Sequence, residues 1–175
     1  MVQPDPNTLH RLIYRSRPTL AAMADLDLVV SEIRTASIDR NRAEGITGLL
    51  LLVNLHFIGA LEGKYIEVRN TFARISLDRR HRDLCILSQG PADQCLFSSW
   101  NMCASAIAPS DEVIIKALRA KDDFDPQDLT AASALRLLTT VAAIQQRASQ
   151  APDVAAVPRQ PPPEADHEMA AFEID

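Results

Sequence analysis

Four side chains stand out for the chemistry they would support together: Tyr14, Asn41, Trp100 and Met102. Tyr14 falls on a first strand and Asn41 at the end of a first helix, just before a strongly apolar run. Trp100 and Met102 fall on a last strand. A phenol hydroxyl, a carboxamide and soft apolar walls suit a flat heteroaromatic ligand with carbonyls along its edge. Conventional catalytic patterns are missing: the chain has no Walker loop, GxGxxG, GxSxG, HExxH or CxxC. The four histidines (His10, His56, His81, His167) are scattered, without ligand spacing, so no metal is expected. His81 lies near Cys85, but a cysteine in a strand usually packs as a small apolar residue.

The elements that must position these residues can be read from periodicity. Leu9–Arg15 alternates as a strand with two occupied faces. Asp25 is placed to cap a helix carrying Leu26, Val29, Val30, Ile33 and Ser37 on one face, ending near Arg42 before Gly45. Ile46–Val53 is almost continuously apolar, as a central strand buried on both faces would be. Asn54-Leu55 turns it into His56–Gly63. A second helix follows with Tyr65, Val68, Phe72 and Ile75 on one face. Asp83–Ser88 and Phe97–Ala106 read as the last strands. The order β-α-β-β-α-β-β is the α+β ferredoxin-like pattern, with two helices on one face of the sheet. Further helices are expected over Asp111–Ala120 and from a start at Asp125-Pro126 to about Gln145. The latter has a stripe of Leu129, Ala132, Leu135, Leu138, Val141 and Ile144 that must be covered by the open sheet face or another subunit.

Composition narrows the class. The chain has 175 residues, 47% hydrophobic and 23% charged, ordinary for a soluble globular protein. It has no apolar run of membrane-spanning length and no basic-then-apolar start of the secretory kind. Three cysteines (Cys85, Cys95, Cys103) do not make a disulfide scaffold and fit a reducing cytoplasm. The net charge is −5, and residues 151–175 carry all of it; residues 1–150 are balanced. No basic patch marks the chain as a nucleic-acid binder. The expected organisation is a domain over residues 1–107, a helical extension over 108–148, and a disordered acidic tail over 149–175, where five of the eleven prolines fall.

A family resemblance runs in register from Leu9 to Ile107. LxRLIYxS, NxxxGITGLLL, FxxxLEG, ARI, DxRHR and WxM resemble the BLUF domain, a flavin-based blue-light sensor with a ferredoxin-like fold. The resemblance implies non-covalently bound FAD between the two helices. It implies that Tyr14 donates an electron and proton to the excited flavin and that Asn41 bonds the isoalloxazine edge. Ile33 would lie against the ring, Arg74 near the phosphate end, and Trp100 and Met102 on the strand that responds to light. Phe57, Leu61, Glu62 and Gly63 match the FxxxLEG frame. Arg40 stands where many members have a second asparagine. The departure that matters is Gly59, in the place of the glutamine that bridges tyrosine and flavin in the family. Water filling the resulting polar gap is the expected substitute, and Gly59→Gln the expected repair. The implied function is a photosensory module rather than an enzyme: it signals through a separate, unidentified protein partner or a change of homo-oligomeric state, with an altered photocycle. The rival reading is a flavin-free module for protein interaction or dimerisation.

Overall fold

A computed structural model of the chain describes residues 7–98, 101–106 and 126–150. Along the chain come β1 (Leu9–Pro18), α1 (Leu26–Glu44), β2 (Thr47–Val53), β3 (His56–Lys64), α2 (Tyr65–Leu77), β4 (His81–Pro91), β5 (Asn101–Ala106) and α3 (Ala131–Gln150). The sheet order is β4-β1-β3-β2-β5. Neighbours are antiparallel except β5, which runs parallel to β2. This is the ferredoxin-like α+β arrangement, extended by β5 at one edge.

The alternation of strand side chains builds two cores. Leu12, Tyr14, Leu50, Phe57 and Leu61 face α1 and α2, where they meet Val30, Ile33 and Val68. Ile13, Leu49, Leu51, Ile58 and Ala60 face the other way and are covered by α3 through Ala134, Leu137, Leu138, Val141 and Ala142. The unbroken leucines of β2 are therefore the mark of a strand packed on both sides. Each large apolar side chain so buried contributes about 1.5–3 kcal/mol, which is why α3 seals the open sheet face.

Local signals set the ends of α1. The Leu28 N–H donates to Asp25 Oδ1 at 3.0 Å, and Gly45 closes the helix in the left-handed region at φ 65°. The start of α3 differs from the sequence expectation. Pro126–Asp128 forms a separate 3-10 turn, and the helix is capped by Thr130, whose Oγ1 accepts from the Ser133 N–H at 3.2 Å. The buried face turns accordingly: Ala132 is exposed and Ala134 is buried. The expected helix over 111–120, the tail and Trp100 lie outside the described residues. Phe97, expected to open the last strand, instead sits in the connection before β5, fully buried in the α3-side core.

His81, at the start of β4, is buried against the Phe57 ring (centroids 4.6 Å apart) and shares a 2.9 Å hydrogen bond with Ser16 Oγ. Burial pushes its pKa down to about 4; the Asp78 charge opposes this and Arg80 reinforces it. The folded chain therefore keeps His81 neutral while the unfolded chain takes a proton below about 6.5. Its contribution is complete above that pH and is lost as pH falls from 6.5 toward 4, by about 3 kcal/mol in all. Urea unfolding across this window should show the loss, and His81→Gln should flatten the profile.

The β2–β3 turn has Asn54 at φ 46° and Leu55 at φ 58°, the pair of left-handed residues that a two-residue hairpin requires. Leucine is strained there, and its side chain is half exposed. Leu55→Gly should therefore raise stability by roughly 0.5–1 kcal/mol, after the flexibility gained by the unfolded chain is subtracted; the urea midpoint measures it.

Candidate functional site

Tyr14 sits in the middle of β1, directly opposite Gly59 on β3. It is 1% exposed and lies edge-on to Phe72 of α2, with ring centroids 5.6 Å apart. Burial, reinforced by the Asp78 charge, holds its phenol protonated far above the ordinary tyrosine range. The ring lies over Gly59: a Cβ added there would stand 2.5 Å from Tyr14 Cζ and 2.7 Å from the hydroxyl oxygen. This overturns the expectation of a water-filled gap, because the phenol fills it. A Gly59→Gln side chain would likewise have to displace this ring, because any side chain at 59 meets it first.

Asn41 occupies the inner face of the last turns of α1. It is 2% exposed, and its Nδ2 has no hydrogen-bond partner among the described residues. A buried amide left unpaired costs about 1–3 kcal/mol, so its position calls for an acceptor that the described residues do not supply. Asn41 lines a cleft of about 490 Å³ between α1 and α2, together with Arg40, Thr71, Arg74, Ile75 and Asp78. The volume is within the range of small-molecule sites. Ile33 lies in the core beside Tyr14 and does not line the cleft.

Arg74 is already engaged. Its Nη2 pairs with Glu44 Oε2 and donates to Thr71 Oγ1 at 2.8 Å; Thr71 Oγ1 in turn donates to Glu44 at 3.3 Å. Glu44 is on α1, so this network joins the two cleft walls. Farther along the rim, Arg80 pairs with Asp78 at 2.6 Å and with Glu32 at 3.5 Å. Burial alone would raise the Asp78 carboxyl, but the Arg80 hydrogen bonds and charge bring it below its ordinary value.

Glu62 of the FxxxLEG frame has a structural task that residue spacing did not announce. Its carboxylate is fully buried and accepts from Arg11 Nε at 2.6 Å, Cys95 Sγ at 3.0 Å, Leu96 N–H at 2.9 Å and Phe97 N–H at 3.0 Å. It thereby ties the segment leading to β5 onto β3. The Cys95 thiol is pushed up, mainly by burial and also by this carboxylate, so it is a poor nucleophile at neutral pH. Met102 lies where the β2–β5 register slips, between the positions opposite Gly48 and Leu49. The structure thus gathers Tyr14, Gly59 and Ile33 in one core and places Asn41 and Arg74 on the adjoining cleft. The Glu62 clamp and the Glu44–Arg74 pair were missed because they join residues far apart in sequence; only the oppositely charged side chains of Arg11 and Glu62 on neighbouring strands hinted at the first.

The chain is thus a ferredoxin-like α+β domain with a polar-lined cleft between its two helices and a buried tyrosine in the adjoining core. The family model described as "Sensors of blue-light using FAD" (BLUF) matches residues 9–103, and the chain belongs to this family. Photoactivated adenylate cyclase subunit beta of Euglena gracilis is 31% identical over 98 residues, covering 56% of this chain and 11% of the relative. The chain thus spans about a tenth of the length of the curated relatives it matches. Among solved structures, BlrB, a BLUF protein in its dark state, has 29% identity and a TM-score of 0.65, covering 81% of this chain and 99% of that one. BlsA in its photo-activated state has 26% identity and a TM-score of 0.64, covering 75% and 93%. Among the described residues, no helix is long and apolar enough to cross a membrane.

Glu62→Gln should keep the acceptor for Leu96 and Phe97 but set an amide donor against Arg11. A loss of about 2–4 kcal/mol in urea unfolding is expected, with loosening of residues 95–97 visible in amide hydrogen exchange.

Proposed function

We propose that this chain is a flavin-binding blue-light sensor module that signals through a separate protein partner, with photochemistry altered by Gly59. The observation that carries this reading is the buried, unpartnered Nδ2 of Asn41 on the cleft between α1 and α2. A ring-edge carbonyl would satisfy it. When bound, flavin supplies the blue-light absorption and the electron-accepting excited state. Asn41 would orient the ring edge, Ile33 would back the core side, and Arg74 would meet the phosphate end of FAD while remaining tethered by Glu44. Tyr14 would donate the electron, its buried phenol holding the proton at the hydroxyl oxygen until then. Trp100 and Met102 would carry the response along β5, which Glu62 couples to β3 through residues 95–97. In this reading residues 1–107 sense light, 108–148 form a helical extension that covers the sheet and only secondarily serves as an output surface, and 149–175 form a disordered acidic tail, in a cytoplasmic homo-oligomer that performs no catalysis itself.

The flavin-free interaction module is favoured by one observation: Tyr14 does not line the cleft. An absorption spectrum of purified protein, in darkness and under blue light, separates the two. Flavin bands with a reversible light-induced change are expected; a colourless protein that also fails to take up FAD would leave the flavin-free reading. Asn41→Ala should weaken flavin retention about tenfold, the loss of one hydrogen bond to a buried edge, as measured by equilibrium dialysis.

A further inference from the structure

Tyr14 and Gly59 are directly paired across the β1–β3 ladder. We propose that Gly59 is the positioning residue for Tyr14: the missing side chain lets the phenol lie flat on the sheet, and so withdraws its hydroxyl from the cleft into the core. The proposal deepens the photosensory reading, which relies on Tyr14, but its geometry and its test need no ligand.

Three features hold the ring there. Below it, a Cβ at 59 would fall within 2.7 Å of the hydroxyl oxygen and closer to the ring carbons, so only glycine leaves the space. Beside it, the Phe72 ring stands edge-on at 64°. Around it, Leu12, Ile33, Leu50 and Phe57 complete the core. The strand cannot yield, because β3 is paired to β1 on one side and to β2 on the other, with Gly59 opposite both Tyr14 and Leu50. A side chain at 59 must therefore lift the ring off the sheet, toward α1 and α2 and the cleft between them. Residue 59 thus decides whether the phenol forms part of the core floor or reaches the ligand space. In this chain it is part of the floor.

The test uses the full chain without flavin. The protein has two tyrosines, and half-buried Tyr65 on α2 serves as an internal reference. Second-derivative ultraviolet absorption at neutral pH should show one phenol shielded from solvent, the contribution that Tyr14→Phe removes. Gly59→Ala should expose that phenol and lower the melting temperature by at least about 5 °C. In a Tyr14→Leu background the same alanine should cost less than half as much. The proposal is overturned if Gly59→Ala leaves the Tyr14 phenol as shielded as before, whatever the melting temperature does, or if alanine costs the same in both backgrounds. Should Gly59→Ala alone not fold, folding of the Tyr14→Leu/Gly59→Ala double variant supports the proposal, and its failure overturns it. Absence of flavin would sink the photosensory reading while leaving these readouts intact.

Discussion

The carboxylate of Glu62 is buried at the centre of a sheet, and a buried charge survives only where enough donors converge on it. Arg11 supplies the counter-charge from β1, and the Leu96 and Phe97 amides supply two more bonds from the connection to β5. Meeting that requirement organises much else. The connection is drawn across the end of β3, Phe97 is delivered into the α3-side core, and β5 enters the sheet beside β2. An interaction that looks expensive in isolation is thus the device by which a segment without its own ladder bonds acquires a fixed path. It also links the strand bearing Gly59 to the strand bearing Met102 through a few bonds.

The two faces of the sheet divide the labour. On the α3 side the contacts are almost wholly apolar, and the packing is that of a closed core. On the other side α1 and α2 meet the sheet through Val30, Ile33 and Val68 but separate toward solvent, where polar residues line the cleft. The Glu44–Arg74–Thr71 network spans the two helices at this level. It holds the walls together by pairing opposite charges, and it leaves Asn41 as a buried polar group on the cleft with an unmet bond among the described residues.

Much of the fold was legible because it rests on local rules. The two helix faces, the Asp25 cap, the two-sided leucine strand and the Asn54-Leu55 turn are each decided within a few residues, and the element order follows from them. The start of α3 was misplaced because the Asp125-Pro126 pair is a sound helix signal in sequence, whereas Pro126–Asp128 forms a 3-10 turn and Thr130 supplies the cap of α3. Phe97 was misplaced for a different reason: its backbone answers to Glu62, 35 residues earlier, and no periodicity reports that. In the candidate site, residue types pointed to Tyr14, Asn41 and Gly59, but the consequence of glycine could not be read from spacing. Sequence shows a side chain removed; only the register opposite Tyr14 shows what moves into the space.

That occupation changes what the departure from the family's glutamine means. A vacancy beside a flavin site would be polar and wet, and a water could relay hydrogen bonds there. A phenol pressed onto the strand is the opposite environment: desolvated, held neutral by burial and the Asp78 charge, and bounded by aliphatic and aromatic carbon. Burial of this kind strengthens whatever electrostatic influence the cleft exerts on the ring, because little solvent lies between them. It also raises the cost of any charged phenol state, so loss of an electron from Tyr14 must be accompanied by movement of its proton to a group within reach. Glycine at 59 removes the side chain that would receive or pass on that proton in the family pattern. In the photosensory reading proposed above, the proton's route, rather than the presence of an electron donor, is therefore the step that Gly59 would alter.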